Sequence, residues 1–459
     1  MYTISKTLKL LPILFVVFGL IGLAVGFSSV PHSIEEVEQL LAEDAHHGGG
    51  HGEAHATTSH GDHGHNDAAH TAHHDDHGAA HAEDVHGDEH QKHLEHVLHQ
   101  LQNKPWAAVY VAAFFFFMIS LGVLAFYAIQ FAAQAGWSPV LFRVMEGITA
   151  YLLPGGVILL VLFALSGAHL NHLFVWMDPE VVAHDELIQG KSAWLNPTTF
   201  IIRAVLYLLG WNIYRHFAVK FSRKQDEEPQ GNKWYKKSFK ISAVFLVFFL
   251  YTESMMSWDW IMSFDPHWFS TLFGWYVLAG MLVSGITVIA LITIYLKSQG
   301  YMTYVNDSHM HDLAKFMFGL SIFWTYLWFS QFLLIWFSNI PEEVTYYIQR
   351  INDFKLPFFG MLILNFLFPL LLLINSDYKR INWLVVLGGV VILFGHYIDV
   401  FNMVMPATVG ASWSIGYIEV SAILLFLGVF MLVVFKALTK APLENKGNPL
   451  LEESKHFHY

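Results

Sequence analysis

Eight side chains stand out because groups of their types, set inside apolar stretches, can take up and release protons. Arg203, Glu253, His396, Asp399 and Glu419 form one set, and Glu146, His216 and His309 a second. An ionisable group in hydrocarbon is strongly disfavoured unless it meets an opposite charge or water, so each is a functional candidate by position alone. His396 and Asp399 are three residues apart, which puts them on one face of a helix, and Asn402 continues that face. A carboxylate beside an imidazole makes a proton-exchanging pair. Arg203 is the expected charge balance for the first set. The plainer alternative is that Arg203 neutralises Glu253 or Asp399 only to hold helices together.

In the second set Glu146 is followed by Gly-Ile-Thr-Ala-Tyr in an apolar run and reads as a buried acid, with His216 or His309 as its exchange partner. Arg143, His311 and Asp312 lie at the same depth, and Arg215 and Lys315 are expected to snorkel to headgroups. Between the two levels only neutral polar groups occur, among them Asn212, Ser284, Thr287, Ser321, Thr325 and Asn365. Two charged layers with a neutral polar middle suit two aqueous half-channels. They equally suit an ordinary bundle whose hydroxyls bond back to their own helices.

The elements that must position these groups are transmembrane helices. Over the 459 residues, 54% are hydrophobic, 14% charged and 16% aromatic, too little charge for a soluble chain of this size. Crossing a bilayer takes about twenty apolar residues. Ten runs qualify, at 10–28, 106–131, 145–167, 198–219, 238–258, 271–296, 313–338, 355–375, 381–403 and 413–436. Each must be helical, since lipid offers the backbone no partner. With a cytoplasmic N-terminus, seventeen Lys and Arg fall on inside segments and four on outside loops, so both termini are expected in the cytoplasm. Glu253 then lies about five residues, roughly 7–8 Å, below the outer surface. The first run is read as an uncleaved anchor, with a cleaved signal peptide as the alternative.

Residues 29–105 form an outer loop in which 44–99 carry seventeen His. Imidazoles bind Zn²⁺, Ni²⁺ or Cu²⁺, but the irregular spacing implies no four-ligand geometry. The expectation is a largely disordered tether with adventitious metal binding only. From about Asp88 to Gln102 its composition suits an amphipathic helix. A metal transporter is the rival this loop suggests, although only His396 and Asp399 resemble intramembrane ligands. Cys is absent, which removes thiolate-held Fe–S clusters and CxxCH haem attachment. A bis-His haem is not expected, because only His396 reads as buried. Any such redox centre therefore belongs to partners, and the net charge of −12 gives no hint of nucleic acid.

After span five the chain reads Met256-Ser-Trp-Asp-Trp-Ile-Met-Ser, then Asp265-Pro-His-Trp-Phe-Ser-Thr. Physically this is an interfacial loop, with Trp258, Trp260, Trp268 and Trp275 at headgroup level and Asp259 and Asp265 facing water. This stretch, the ten spans and the hydrophilic insertion after the first resemble the NrfD/PsrC-like membrane subunits of alternative complex III. That complex is the bacterial quinol:cytochrome c or quinol:oxidase oxidoreductase. The specific likeness is to its ActF-type membrane subunit, sister of the quinol-oxidising one, over about 105–440. The resemblance implies an all-α fold of two four-helix bundles, spans two to five and six to nine, flanked by spans one and ten. It implies partners: the sister membrane subunit, c-type cytochrome subunits carrying haem c, an exported Fe–S subunit and a terminal oxidase. It also implies structural support and a proton path rather than a redox centre in this chain, with the quinone site in the sister subunit. Purely structural scaffolding is the third reading.

Overall fold

The structure is a computed structural model and describes residues 2–47 and 79–458. Seventeen α-helices follow in chain order: α1 (Lys6–Ser28), α2 (Ile34–His47), α3 (Ala79–Ala132), α4 (Phe142–Ile148), α5 (Leu152–Gly167), α6 (Pro179–His184), α7 (Glu186–Gly190), α8 (Pro197–Glu227), α9 (Lys233–Trp260), α10 (Phe273–Ser298), α11 (Asp307–Ser338), α12 (Pro341–Asn352), α13 (Lys355–Leu362), α14 (Phe368–Leu373), α15 (Asn382–Thr408), α16 (Tyr417–Leu438) and α17 (Leu451–Lys455). Among the described residues there is no strand, and nine helical stretches are long and apolar enough to cross a membrane. The protein is an all-α, multi-pass membrane protein. The expected fourth span is α8, which carries Arg203 and Arg215 and so falls short on apolarity rather than on length.

The chain divides into two compact units, 29–102 and the remainder. In the smaller, Val37, Leu94 and Val97 close a short apolar seam with Ile34, Leu98 and Leu101. The helix expected over Asp88–Gln102 is present as part of α3. Residues 48–78 lie outside the described residues, and with them most of the His-rich stretch and the expectations of disorder and metal binding.

In the larger unit helix pairings fall into two sets. Residues 103–132 of α3, α4–α5, α8 and α9 form one bundle; α10, α11, α13–α14 and α15 form the other. The bundles meet where Gly122 lies against the backbone of Met281 and Gly285 against Val123; a Cβ on Gly122 would stand 2.2 Å from the Met281 carbonyl oxygen. Small residues permit such close helix approach where lipid gives no hydrophobic drive. The flanking helices pair by the same device: Gly19, Gly22 and Gly26 of α1 face Leu425, Ser421 and Ile418 of α16. The Phe114–Met118 run is packed inside rather than facing lipid.

Span eight is not uniformly wound. Between α13 and α14, Ile363–Leu367 form a π-helical stretch. Pro369 explains it, because it has no N–H for the carbonyl of Asn365 and its ring crowds that carbonyl. Asn365 is thereby turned into the second bundle, against Gly395 of α15, where a Cβ would stand 2.1 Å from Asn365 Oδ1.

The segment after α16 packs as structure, not as a loose tail. Ser454 donates to the carbonyl of Trp137 (2.6 Å), Asn306 to that of Phe457 (2.6 Å), and the Gly447 N–H to Asp226 (2.9 Å). The opposite end holds Trp194 and Trp268 in loops and Trp258 in the last turn of α9. The two ends of the larger unit are called below the carboxy-terminal and tryptophan ends.

Candidate functional site

The five groups expected to share one pocket at the tryptophan end separate into independent sites. Arg203 reaches neither Glu253 nor Asp399; it pairs with Asp259, which is wholly buried rather than facing water. Arg203 Nε donates to Asp259 Oδ2 (2.8 Å) and Nη2 to Oδ1 (2.9 Å), a two-pronged guanidinium–carboxylate pair. Trp194 Nε1 (2.8 Å) and the Tyr207 hydroxyl (3.2 Å) supply two more donors. The last turn of α9 therefore folds inward. Trp260 packs against Phe117, Phe163 and Trp211, and Trp268 is buried as well, so neither ring is exposed at the surface.

Glu253 is buried with one carboxyl oxygen unpartnered, and among the described residues it has no ion pair. Glu419 bonds to none of the other four groups, and its buried Oε1 has no partner. Its carboxylate accepts the Gly416 N–H (2.8 Å) and caps the start of α16, where the first backbone N–H groups lack helical partners.

The pair that does form as its spacing predicts is His396–Asp399. Both are buried, with Nδ1 of the ring 3.4 Å from Asp399 Oδ2. The Trp324 indole of α11 donates to Asp399 Oδ2 (2.9 Å), and the Tyr276 hydroxyl of α10 to Oδ1. Gly280 leaves the floor open, since a Cβ there would touch His396, Asp399 and Trp324 at 3.5–3.7 Å. The far nitrogen of the ring, Nε2, has no protein partner.

Further unpartnered polar atoms continue on the helices around it: both side-chain atoms of Asn365, and the hydroxyls of Ser321 and Ser284. Thr287 and Thr325, by contrast, bond back to their own helices. A buried polar group without a partner is costly, and internal water settles on such groups where there is room to hold it. Beyond Ser321, α11 leads to Asp312, which holds Lys315 at 2.5 Å, and to His311, which meets Ser376 (3.1 Å). Asp312 and Trp324 are twelve residues apart on this helix, roughly 18 Å along its axis.

At the carboxy-terminal end Glu146 is buried, but neither His216 nor His309 is its partner. His216 is exposed on α8. His309 is buried elsewhere, in a capping box with Asn306 and 3.0 Å from the Ser454 carbonyl, because the carboxy-terminal segment covers it. His396 is thus not alone among buried histidines. Glu146 instead takes Arg143 (2.7 Å), Arg223 (2.9 Å), Ser222 (2.6 Å) and Tyr127 (3.3 Å). Arg215 turns toward α4, with Nε donating to the Thr149 hydroxyl (3.1 Å). Tyr276 and Trp324 carry no sequence signal, being ordinary apolar-run aromatics. Ser222 and Asp226 do, at i and i+4, once α8 is continued past the apolar run.

A separate cavity of about 430 Å³ opens at the tryptophan end, walled by Trp194, Trp258, Trp268 and Phe269 with Lys191 at its edge. Among the described residues no three His, Asp or Glu side chains converge as metal ligands.

No protein-family model matches the chain, and no curated protein matches it in sequence. Fold and site together define a multi-pass helical membrane protein with a buried imidazole–carboxylate pair, His396–Asp399, in its second bundle.

Proposed function

We propose that this chain is an integral membrane subunit of a quinol-oxidising respiratory complex in a bacterial cytoplasmic membrane. In this reading it carries no redox centre and conducts protons through its second bundle. The respiratory assignment is supported by the likeness of the Met256–Ser263 segment and its surroundings to the ActF-type membrane subunit of alternative complex III. The excess of Lys and Arg on one set of loops supports cytoplasmic termini.

The observation that carries the proton path is His396–Asp399, buried in the membrane region with an unpartnered ring nitrogen and followed by Asn365, Ser321 and Ser284. Imidazole accepts a proton at one nitrogen and releases it from the other. Asp399 fixes Nδ1 and leaves Nε2 to exchange. Asp312 and His311 would be the far terminus. The first bundle, with Asp259 and Glu146 each met by arginine, serves as the scaffold. Partners would be the sister membrane subunit, c-type cytochromes, an Fe–S subunit and a terminal oxidase. A quinol ring, if this chain holds one, fits the 430 Å³ cavity by size.

Mild-detergent purification tests the class. Haem c absorbance and an Fe–S signal should travel with this chain at fixed ratio. A chain that elutes alone, or with metal-handling proteins, contradicts the assignment.

A further inference from the structure

The arginines around Glu146 do more than neutralise it. A cavity of about 150 Å³ lies between α4, α8 and the segment after α16, lined by Arg143, Glu146, Arg215, Arg223, Leu438 and Lys440 among others. Two acids balance this group, Glu146 and Asp226, and both are taken by Arg143, with Arg223 also on Glu146. Four cations against two carboxylates leave a formal charge of +2. The surplus is on Arg215, which donates to the neutral oxygens of Thr149 and the Glu146 carbonyl, and on Lys440, which is exposed. Arg223 Nη1 and Arg143 Nε are buried donors with no acceptor.

Buried guanidinium N–H groups without acceptors are costly, and a planar fork of donors matches a tetrahedral oxyanion. The volume is below the roughly 300 Å³ at which organic-ligand sites begin, so a single phosphate-sized group is the right occupant. The other walls are apolar, with Leu438 held against Gly147. A cationic notch with hydrocarbon beside it, at the end of a helix bundle, matches the headgroup region of an anionic lipid.

We propose that this cavity binds a phosphoryl group, from an anionic phospholipid or from free phosphate, clamped by Arg215, Arg223 and Lys440. The site is independent of the proton path, which runs in the other bundle.

The test uses the full-length chain purified with whatever accompanies it. Its thermal midpoint is followed against phosphatidylglycerol in a phosphatidylcholine background, against inorganic phosphate, and against chloride at matched ionic strength. A rise with phosphatidylglycerol alone assigns the lipid; a rise with phosphate as well, exceeding that with chloride, assigns the free anion. Arg215→Gln should weaken the response about tenfold. Lys440→Gln, at an exposed position that folding tolerates, should weaken it several-fold. No rise beyond chloride, or an undiminished rise in Lys440→Gln and Arg215→Gln, overturns the proposal.

Discussion

Asp259 and Asp399 are both buried acids toward the tryptophan ends of adjacent bundles, and each accepts from an indole and a tyrosine hydroxyl. They differ in the remaining partner. Asp259 faces Arg203, whose guanidinium keeps its proton under all ordinary conditions. Asp399 faces His396, which can gain or lose one and has a nitrogen left over. Burial and hydrogen-bond count alone therefore do not separate a structural acid from an exchanging one. In the proposed reading, the protonation chemistry of the partner does.

The largest effect should come from breaking the fixed pair. Arg203→Ala leaves Asp259 buried without its cation and should cost about 3–5 kcal/mol, read as lost folded protein or a lowered denaturation midpoint in detergent. Asp399→Asn should cost distinctly less, because it removes no compensating cation. Equal losses in the two variants would erase the distinction.

A smaller effect sharpens it. Gly395→Ala introduces a methyl where Asn365 now sits, and overpacking of this kind costs about 1–3 kcal/mol. It alters no titratable group. Proton-linked turnover should nevertheless fall, since Asn365 must leave its place against Gly395; unchanged turnover would remove Asn365 from the path.

The smallest effect calibrates the series with a loop acid. Asp185 caps α7, and the backbone N–H of Ile188, ahead of the His267 ring 2.6 Å away, holds its carboxyl below the ordinary carboxylate value. A lowered value means the contribution is present above the unfolded-state pKa and fades as pH falls through the folded one. Asn caps a helix as well as Asp, so Asp185→Asn should cost only about half a kcal/mol at neutral pH. The difference from wild type should vanish in acid, as pH-dependent thermal melts would show.

Much of this architecture is legible in the sequence, because hydrocarbon demands long apolar helices and admits few charges. Span nine, expected over 381–403, is Asn382–Thr408, and the i, i+3 pairing of His396 with Asp399 follows from helix geometry. Partnerships across helices are what the sequence hides. The acid that meets Arg203 is concealed because Asp259 follows a tryptophan at a span end and looks like a surface residue; only the inward turn of Trp260 shows otherwise. Histidines look like the partners of Glu146 because Arg223 and Asp226 lie in a charged run that resembles a solvated helix end. The carboxy-terminal segment, polar in composition, gives no sign that it buries His309.

One measurement bears most directly on the second bundle: protons released per quinol oxidised, with the purified complex in vesicles carrying a pH-sensitive dye. Asp399→Asn should assemble normally yet lower that ratio and slow turnover about tenfold or more, as loss of a positioned proton-transfer group does. An assembled Asp399→Asn complex with wild-type rate and stoichiometry would show that His396 and Asp399 hold helices together and carry no protons.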